Sequence, residues 1–236
     1  LQLWKLGKQQ VLENCFFDNL LNGVIVMSEQ EVGINQWLGA KNILYLPRIL
    51  EPRFIEWQGQ TGVVGFLGTL DHLPNKLGIE YLASSLKETG FAGSLRIVGG
   101  PEKVGKALAD KFSFINYLGP ITDSELHQEI KKWSVFLNPV FWYARGASTK
   151  LALAISYGLP LITTPAGCRG YELSDNSITC ADNTPECFAQ MLNNALKSPE
   201  LLKRLKYSSE QNAKDFMIEK HIFNLKEFIQ KILPAT

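Results

Sequence analysis

Short apolar strands alternate with helical stretches along most of this chain, and most of those strands run into glycine. Strands that are apolar on both faces belong to a parallel sheet covered by helices on each side, so the pattern restricts the fold to an α/β layered domain. From Gly62 onward the spacing predicts strands at 63–68, 94–100, 114–118, 135–139 and 159–164. Helices are expected between them at 75–89, 102–112, 124–132 (capped by Thr122 or Asp123) and 150–158. A short strand near 178–180 and three helices at 185–198, 199–216 and 219–233 complete the series.

The first part of the chain reads as an incomplete N-terminal αβαβ segment. Leu3, Leu6, Val11, Leu12, Phe16 and Leu20 recur at helical spacing, and Gly23–Met27 is a short strand. Ser28 with Glu31 three residues on has the form of a capping box, opening a helix that stops near Gly39 before a strand at 42–46. Pro47 and Pro52 then punctuate a connecting segment. The expected organisation is the end of one domain at 1–50, a linker at 51–61 and a second domain at 62–236. A chain that begins at Leu1, already in helical pattern, is expected to be the remainder of a longer protein.

The most informative stretch is FWYARGASTKLALAISYGLPLITTPAGCRG, residues 141–170. A buried strand enters a small-residue turn at Arg145–Thr149, and a helix starts at about Lys150 and ends at Gly158. Ser148 or Thr149 suits the helix start, and Gly158 suits the left-handed residue after its last turn. The free N–H groups and positive dipole end of that helix face the mouth of the Gly146 loop, beside Arg145 and Lys150. Two readings stay open: a phosphate or diphosphate site, and an ordinary tight turn carrying two solvated cations. Ligands in such sheets bind beyond the carboxyl ends of the strands, where Gly68-Thr69, Gly99-Gly100, Gly119-Pro120 and Gly146-Ala147 are expected to converge.

Composition excludes several classes. A formal net charge of +1 gives no footprint for nucleic acid. Cys15, Cys168, Cys180 and Cys187 lack the paired spacing of a zinc site, and reduced thiols in a cytoplasmic setting are expected. The sequence shows neither a membrane-spanning apolar run nor a signal peptide.

The succession GFLGTLDHLPN, LRIVGGPE, INYLGPITDSEL, the 135–173 stretch and ITCADNTPECFAQML resembles the nucleotide-sugar-binding half of a group 1 glycosyltransferase, related to glycosyltransferase family 4. The resemblance runs from Gly62 to the C-terminus and is strongest from Tyr117 to Gly170. It implies a Rossmann-like parallel sheet with helices on both faces, the C-terminal domain of a GT-B fold, with most of the acceptor-side domain absent and the last helix returning toward it. It also implies sugar transfer from a nucleotide diphosphate sugar as donor substrate, with no cofactor and no obligatory metal. The turn at Gly68, Thr69 and Gly100 and the helix start at Arg145, Gly146, Ala147, Ser148, Thr149 and Lys150 would face the diphosphate, while Leu118, Pro120 and Ile121 would lie against the base. Lys76 and Lys150 are the phosphate-side cations, with Lys150 preferred.

The resemblance also carries a departure. Two family glutamates, one near the donor sugar and one on the ribose hydroxyls, are replaced here by Arg145 and Leu153. Two other readings therefore stand beside transfer: a non-catalytic half that binds a partner chain or nucleotide, and a nucleotide-sugar epimerase on the same architecture. An N-terminal domain or partner chain would complete the cleft. Among further candidates, His72 and Glu172 read as ligand contacts or as polar loop residues, and Phe141, Trp142 and Tyr143 as stacking groups or an interdomain wall. Lys203, Arg204 and Lys206 read as a solvated helix face or as a contact with anionic lipid at the inner face of a membrane.

Overall fold

The computed structural model describes residues 2–144 and 146–233, apart from the side chains of residues 2–4, 6, 18 and 19. A small leading unit contains α1 (Gln2–Asn19), β1 (Val24–Val26), α2 (Glu29–Trp37) and β2 (Ile43–Tyr45), with β1 and β2 paired in parallel through Ile25 and Leu44. The main unit follows as β3 (Gln60–Leu67), α3 (Leu73–Glu88), β4 (Ser94–Val98), α4 (Glu102–Lys111), β5 (Ile115–Gly119), α5 (Asp123–Ile130), β6 (Trp133–Asn138), α6 (Thr149–Ser156) and β7 (Leu161–Thr163). Three helices close the chain: α7 (Pro185–Lys197), α8 (Pro199–Asp215) and α9 (Ile218–Ile232).

The five strands of the main unit form one parallel sheet in the order β5-β4-β3-β6-β7. The first three strands step outward from β3, then the chain crosses back to lay β6 on its other side. Every residue of β6 is buried, as a strand covered on both faces must be. Val64, Leu95, Ile97, Val135 and Leu137 meet Ile79, Leu82 and Leu86 of α3 and Leu151 and Ile155 of α6 in one apolar core, all fully buried.

The β3–β6 pairing, in register at Val64 with Val135 and Gly65 with Phe136, depends on a missing side chain. A Cβ on Gly65 would lie 1.8 Å from Cδ2 of Trp133, a wholly buried ring at the start of β6. Trp133 is fixed in turn by its Nε1, which donates to Glu129 at 2.9 Å. Arg96 and Lys132 also bind the Glu129 carboxylate, with Arg96 Nη2 at 3.0 Å. Burial alone would raise the Glu129 carboxyl, but the hydrogen bonds from Arg96 and Trp133 and the charges of Arg96 and Lys132 hold it below the ordinary range. The folded value lies below the unfolded one, so the stabilisation is present at neutral pH and is lost as pH falls through the folded value.

The segment between the units is strapped onto the main one. Leu50 N–H donates to the Phe216 carbonyl at 2.9 Å, Arg53 N–H to Ser156 at 2.7 Å and Ile55 N–H to Tyr157 at 3.1 Å. The leading unit touches the loop after β7, where Tyr45 Oη donates to the Gly170 carbonyl at 3.2 Å. Helix α9 returns to that unit, since a Cβ on Gly23 would meet Phe228 at 2.8 Å and Ile232 at 3.1 Å.

Two local expectations are corrected. Ser28 precedes α2, but its hydroxyl donates to the Glu31 carboxylate at 3.2 Å and does not cap the backbone, so the Ser28–Glu31 capping box is not formed. The strand expected at 178–180 is a 3-10 turn at Asn176–Ile178 and a single bridge from Thr163 to Thr179, because Cys180 N–H donates to the Thr163 carbonyl just before the chain turns into α7. Of the two caps offered for α5, Thr122 and Asp123, the structure uses Thr122, which also forms a capping box with Glu125.

Gly65→Ala should cost about 3 kcal/mol of stability, as overpacking of a tight core does, seen as a lower urea midpoint at unchanged slope. Gly33→Ala, in α2 with open space around its Cα, should be neutral or stabilising by up to about 1 kcal/mol. Equal effects at the two positions would remove the role assigned to the Gly65–Trp133 contact.

Candidate functional site

Strands β3 and β6 are neighbours whose outgoing connections run to opposite sides, which opens a crevice at their carboxyl ends. Three glycine turns meet on its β3 side. Gly68 N–H donates to the Val98 carbonyl and Gly99 N–H to Gly119, each at 3.0 Å, and Leu70 N–H reaches the Gly100 carbonyl. Gly99 has φ 128°, and a Cβ there would sit 2.1 Å from the Gly68 oxygen, so this approach admits glycine alone. On the β6 side, Gly146 has φ 76° with nothing within 4 Å of its Cβ position. Ala147 and Thr149 flank the helix start, Thr149 exposed and Ala147 partly buried. Arg145 lies outside the described residues.

Ser148 is the cap of α6. Its buried Oγ accepts from Leu151 N–H at 3.4 Å, its N–H donates to the Arg169 carbonyl at 3.1 Å, and Gly158 at the other end has φ 64°. Thr149, the alternative cap, is instead the first residue of the helix. Asn138, at the end of β6, holds this corner together. Its Nδ2 donates to Thr163 Oγ1 at 2.9 Å and the Gly167 carbonyl at 3.2 Å, and approaches Ser148 Oγ at 3.4 Å.

Lys150 joins the two sides of the crevice. Its Nζ donates to Asn75 Oδ1 at 2.8 Å, and Asn75 Nδ2 donates to the Thr69 carbonyl, also at 2.8 Å. The ammonium lies 5.8 Å from the centroid of the Phe66 ring. Among the described residues no carboxylate pairs with it. Burial first, and then the nearby Arg169 guanidinium, lower the Lys150 ammonium from an ordinary 10.5 to about 8. A partly buried cation held by neutral groups at a helix N-terminus has the chemistry to receive an anion.

The other expected residues are placed as follows. Lys76 is partly buried in the first turn of α3, one residue beyond Asn75, and its side chain has no hydrogen-bond or ion-pair partner among the described residues. Pro120 is exposed, while Leu118 and Ile121 border a depression of about 380 Å³ that also involves Arg96, Glu125, Glu129 and Lys132 but not Gly68, Thr69 or Lys150. Leu153 lines a groove of about 380 Å³ against Arg48, Glu51 and Arg53 of the strap. The three aromatics separate: Phe141 turns inward against Phe188, Trp142 lies 5.7 Å from Tyr81, and Tyr143 is exposed. His72 is exposed and does not cap α3 with its side chain. On α8, Arg204 donates to Ser177 Oγ and Lys206 pairs with Glu210.

Asn75, Asn138 and Arg169 are residues of this corner that pattern reading passes over. A polar residue directly after a glycine turn or at a strand end was the available signal. Arg169 stands in the loop after β7, beside Tyr171 and Glu172 in a cavity of about 100 Å³ that Glu29 and Tyr45 of the leading unit help to enclose. Among the described residues no group of three or more His, Cys, Asp or Glu side chains is placed to hold a metal ion, and no helix is long and apolar enough to cross a membrane.

A family model described as Glycosyl transferases group 1 matches residues 61–198. No curated protein sequence matches the chain. Among solved structures it is similar to TarM (TM-score 0.74, 16% identity), covering 96% of this chain and 46% of that one. The sucrose-phosphate synthase of Thermosynechococcus elongatus gives 0.72 at 16% identity, with 96% and 62% covered. Anabaena HepE in complex with UDP and glucose gives 0.67 at 13% identity, with 94% and 67% covered. The chain thus spans about half the length of TarM and under two thirds of the synthase.

The lowered Lys150 value fixes a pH dependence. Its charge, and any anion affinity that rests on it, should fade as pH rises through about 8. Because the unfolded lysine holds its proton up to about 10.5, folding stability should rise with pH between these two values. An NMR titration of the Lys150 Nζ group checks this, and a midpoint near the ordinary value would mean a solvated ammonium.

Proposed function

The chain belongs to the group 1 glycosyl transferases, and from that premise we propose that it is the donor half of such an enzyme. In this reading the crevice between β3 and β6 holds the diphosphate of a nucleotide-sugar. The observation that carries it is Lys150: an ammonium without a carboxylate partner among the described residues, set in the first turn of α6 and tied through Asn75 to the Thr69 turn. Charge on the leaving diphosphate grows as the sugar departs, and a fixed cation with helix N–H groups stabilises it without reorganisation. Gly68, Thr69, Gly100 and Gly146 to Lys150 surround the phosphates, Lys76 stands as a further cation, and Leu118, Pro120 and Ile121 lie toward the base. The UDP named with HepE supports a nucleotide-sugar as the ligand class.

The acceptor side would be completed by an N-terminal domain or a partner chain. The exposed apolar side chains of the leading unit, Val11, Phe16, Ile25 and Trp37 among them, offer the surface for it. We place the protein in the cytoplasm on its four free thiols. Contact with a membrane's inner face is the weaker reading of α8, whose Arg204 and Lys206 already have protein partners. A second reading, a half that binds without turnover, rests on Leu153. At the place of a ribose-binding acid this chain has an apolar side chain turned to the strap.

Calorimetric titration with UDP, GDP and ADP, and with the matching nucleosides, tests the proposal. One diphosphate should bind in preference to its nucleoside, and Lys150→Ala should weaken the diphosphate about tenfold or more, the loss of one charge-assisted contact, while leaving the nucleoside unchanged. An equal loss for both ligands would reassign Lys150 to packing.

A further inference from the structure

The loop after β7 brings a second cation to the same corner. The Arg169 carbonyl accepts from Ser148 N–H at 3.1 Å, and the next residue, Gly170, lies so close to Ala147 that a Cβ on it would be 2.5 Å from the Ala147 Cβ. Arg169 is therefore fixed by its backbone against the turn that starts α6. Its Nε and Nη1 are buried from solvent and have no hydrogen-bond partner among the described residues. Buried N–H groups without a protein partner keep their hydrogen-bonding capacity for whatever enters the cavity beside them.

Two further observations point to a ligand as the missing partner. The Tyr171 hydroxyl, on a side chain only 5% exposed, is likewise buried without a partner, and it borders the same cavity of about 100 Å³. That volume has room for about three waters at their liquid share. The nearby carboxylates do not fill the role. Glu29 and Glu172 stand exposed at the mouth of the cavity, neither forms an ion pair with Arg169, and a hydrogen bond from Glu172 to Glu29 raises the Glu172 carboxyl. Both Lys150 and Arg169 thus lack a carboxylate partner among the described residues, and they sit near enough that the guanidinium helps to lower the ammonium.

We propose that Arg169 is a second oxyanion-binding residue, holding the same phosphate-type group as Lys150 from the opposite side of the Ser148 turn. The inference rests on the donor-site reading and extends it. The guanidinium fork supplies two parallel donors where Lys150 supplies one point charge. The buried Tyr171 hydroxyl offers a further donor at the same cavity. Because Glu29 and Tyr45 of the leading unit wall the cavity, anion binding at Arg169 also couples the two units.

The test uses inorganic pyrophosphate and UDP, read by calorimetry and thermal melting, on the whole chain and on Arg169→Met and Arg169→Lys. Pyrophosphate should bind the unaltered chain, at least tenfold more weakly to R169M, and with intermediate affinity to R169K, which keeps the charge but not the fork. Without ligand, R169M should melt at the same temperature or higher, because an unpaired buried cation has been removed. A purely structural arginine would do the opposite. If R169M binds UDP and pyrophosphate as tightly as the unaltered chain, Arg169 is excluded and the donor site on Lys150 stands. A melting temperature several degrees lower in R169M, with R169K restoring it, would assign the guanidinium to Glu172 or Glu29 and overturn the proposal. Failure of the unaltered chain to bind pyrophosphate or any nucleoside diphosphate would remove both readings.

Discussion

The pairing of β3 with β6 is the contact on which the remaining geometry depends. These strands are far apart in sequence, and they meet only after the chain has laid β4 and β5 outward and crossed back. The meeting requires a bare backbone at Gly65 beneath the Trp133 ring, and Trp133 is itself anchored to a carboxylate that two cations neutralise. Apolar burial and a satisfied ionic group therefore act on the same strand. At the opposite end of that strand the crossover leaves a crevice, because the loops after β3 and β6 depart to different sides.

Charge balance differs between the two ends of that strand. Glu129, at the lower end of β6, is a buried acid with matched cations. Lys150 and Arg169, at the upper end, are cations whose described partners are neutral or missing. One end of the sheet is electrostatically closed and the other is not. Asn75 and Asn138 make the open end possible: each spans two loops with its amide, fixing the Thr69 turn to Lys150 and the α6 cap to the loop after β7. Neutral side chains that orient a cation without quenching it keep its charge for a ligand.

Much of this was legible in the sequence. Glycine followed by a helical period marks the carboxyl end of a strand, so the five strands, the α6 start and the four small-residue turns could be located. Helix-terminus chemistry narrowed the cap of α6 to Ser148 or Thr149, and the structure uses Ser148. The positions that escaped are polar residues whose importance lies in distant partners. Asn75 reads as an ordinary helix-start residue until Lys150, which is far along the chain, is seen to donate to it. Arg169 reads as a loop cation until its Nε and Nη1 are found buried. Local chemistry also misled at Ser28, whose hydroxyl donates to the Glu31 carboxylate but accepts no backbone N–H from the first turn of α2. At Thr179 one bridge replaced an expected strand, because 3-10 geometry before it and α7 after it leave no length for pairing.

The most direct measurement is a two-dimensional NMR titration of backbone amides with the tightest-binding nucleoside diphosphate. A donor site at this crevice requires the largest shifts at Gly146, Ser148, Thr149, Lys150 and the Gly68-Thr69 turn, with smaller ones at Leu118 and Ile121. Saturable shifts confined to the β5 edge or to the groove between the strap and Leu153, with the α6 start unmoved, would contradict it.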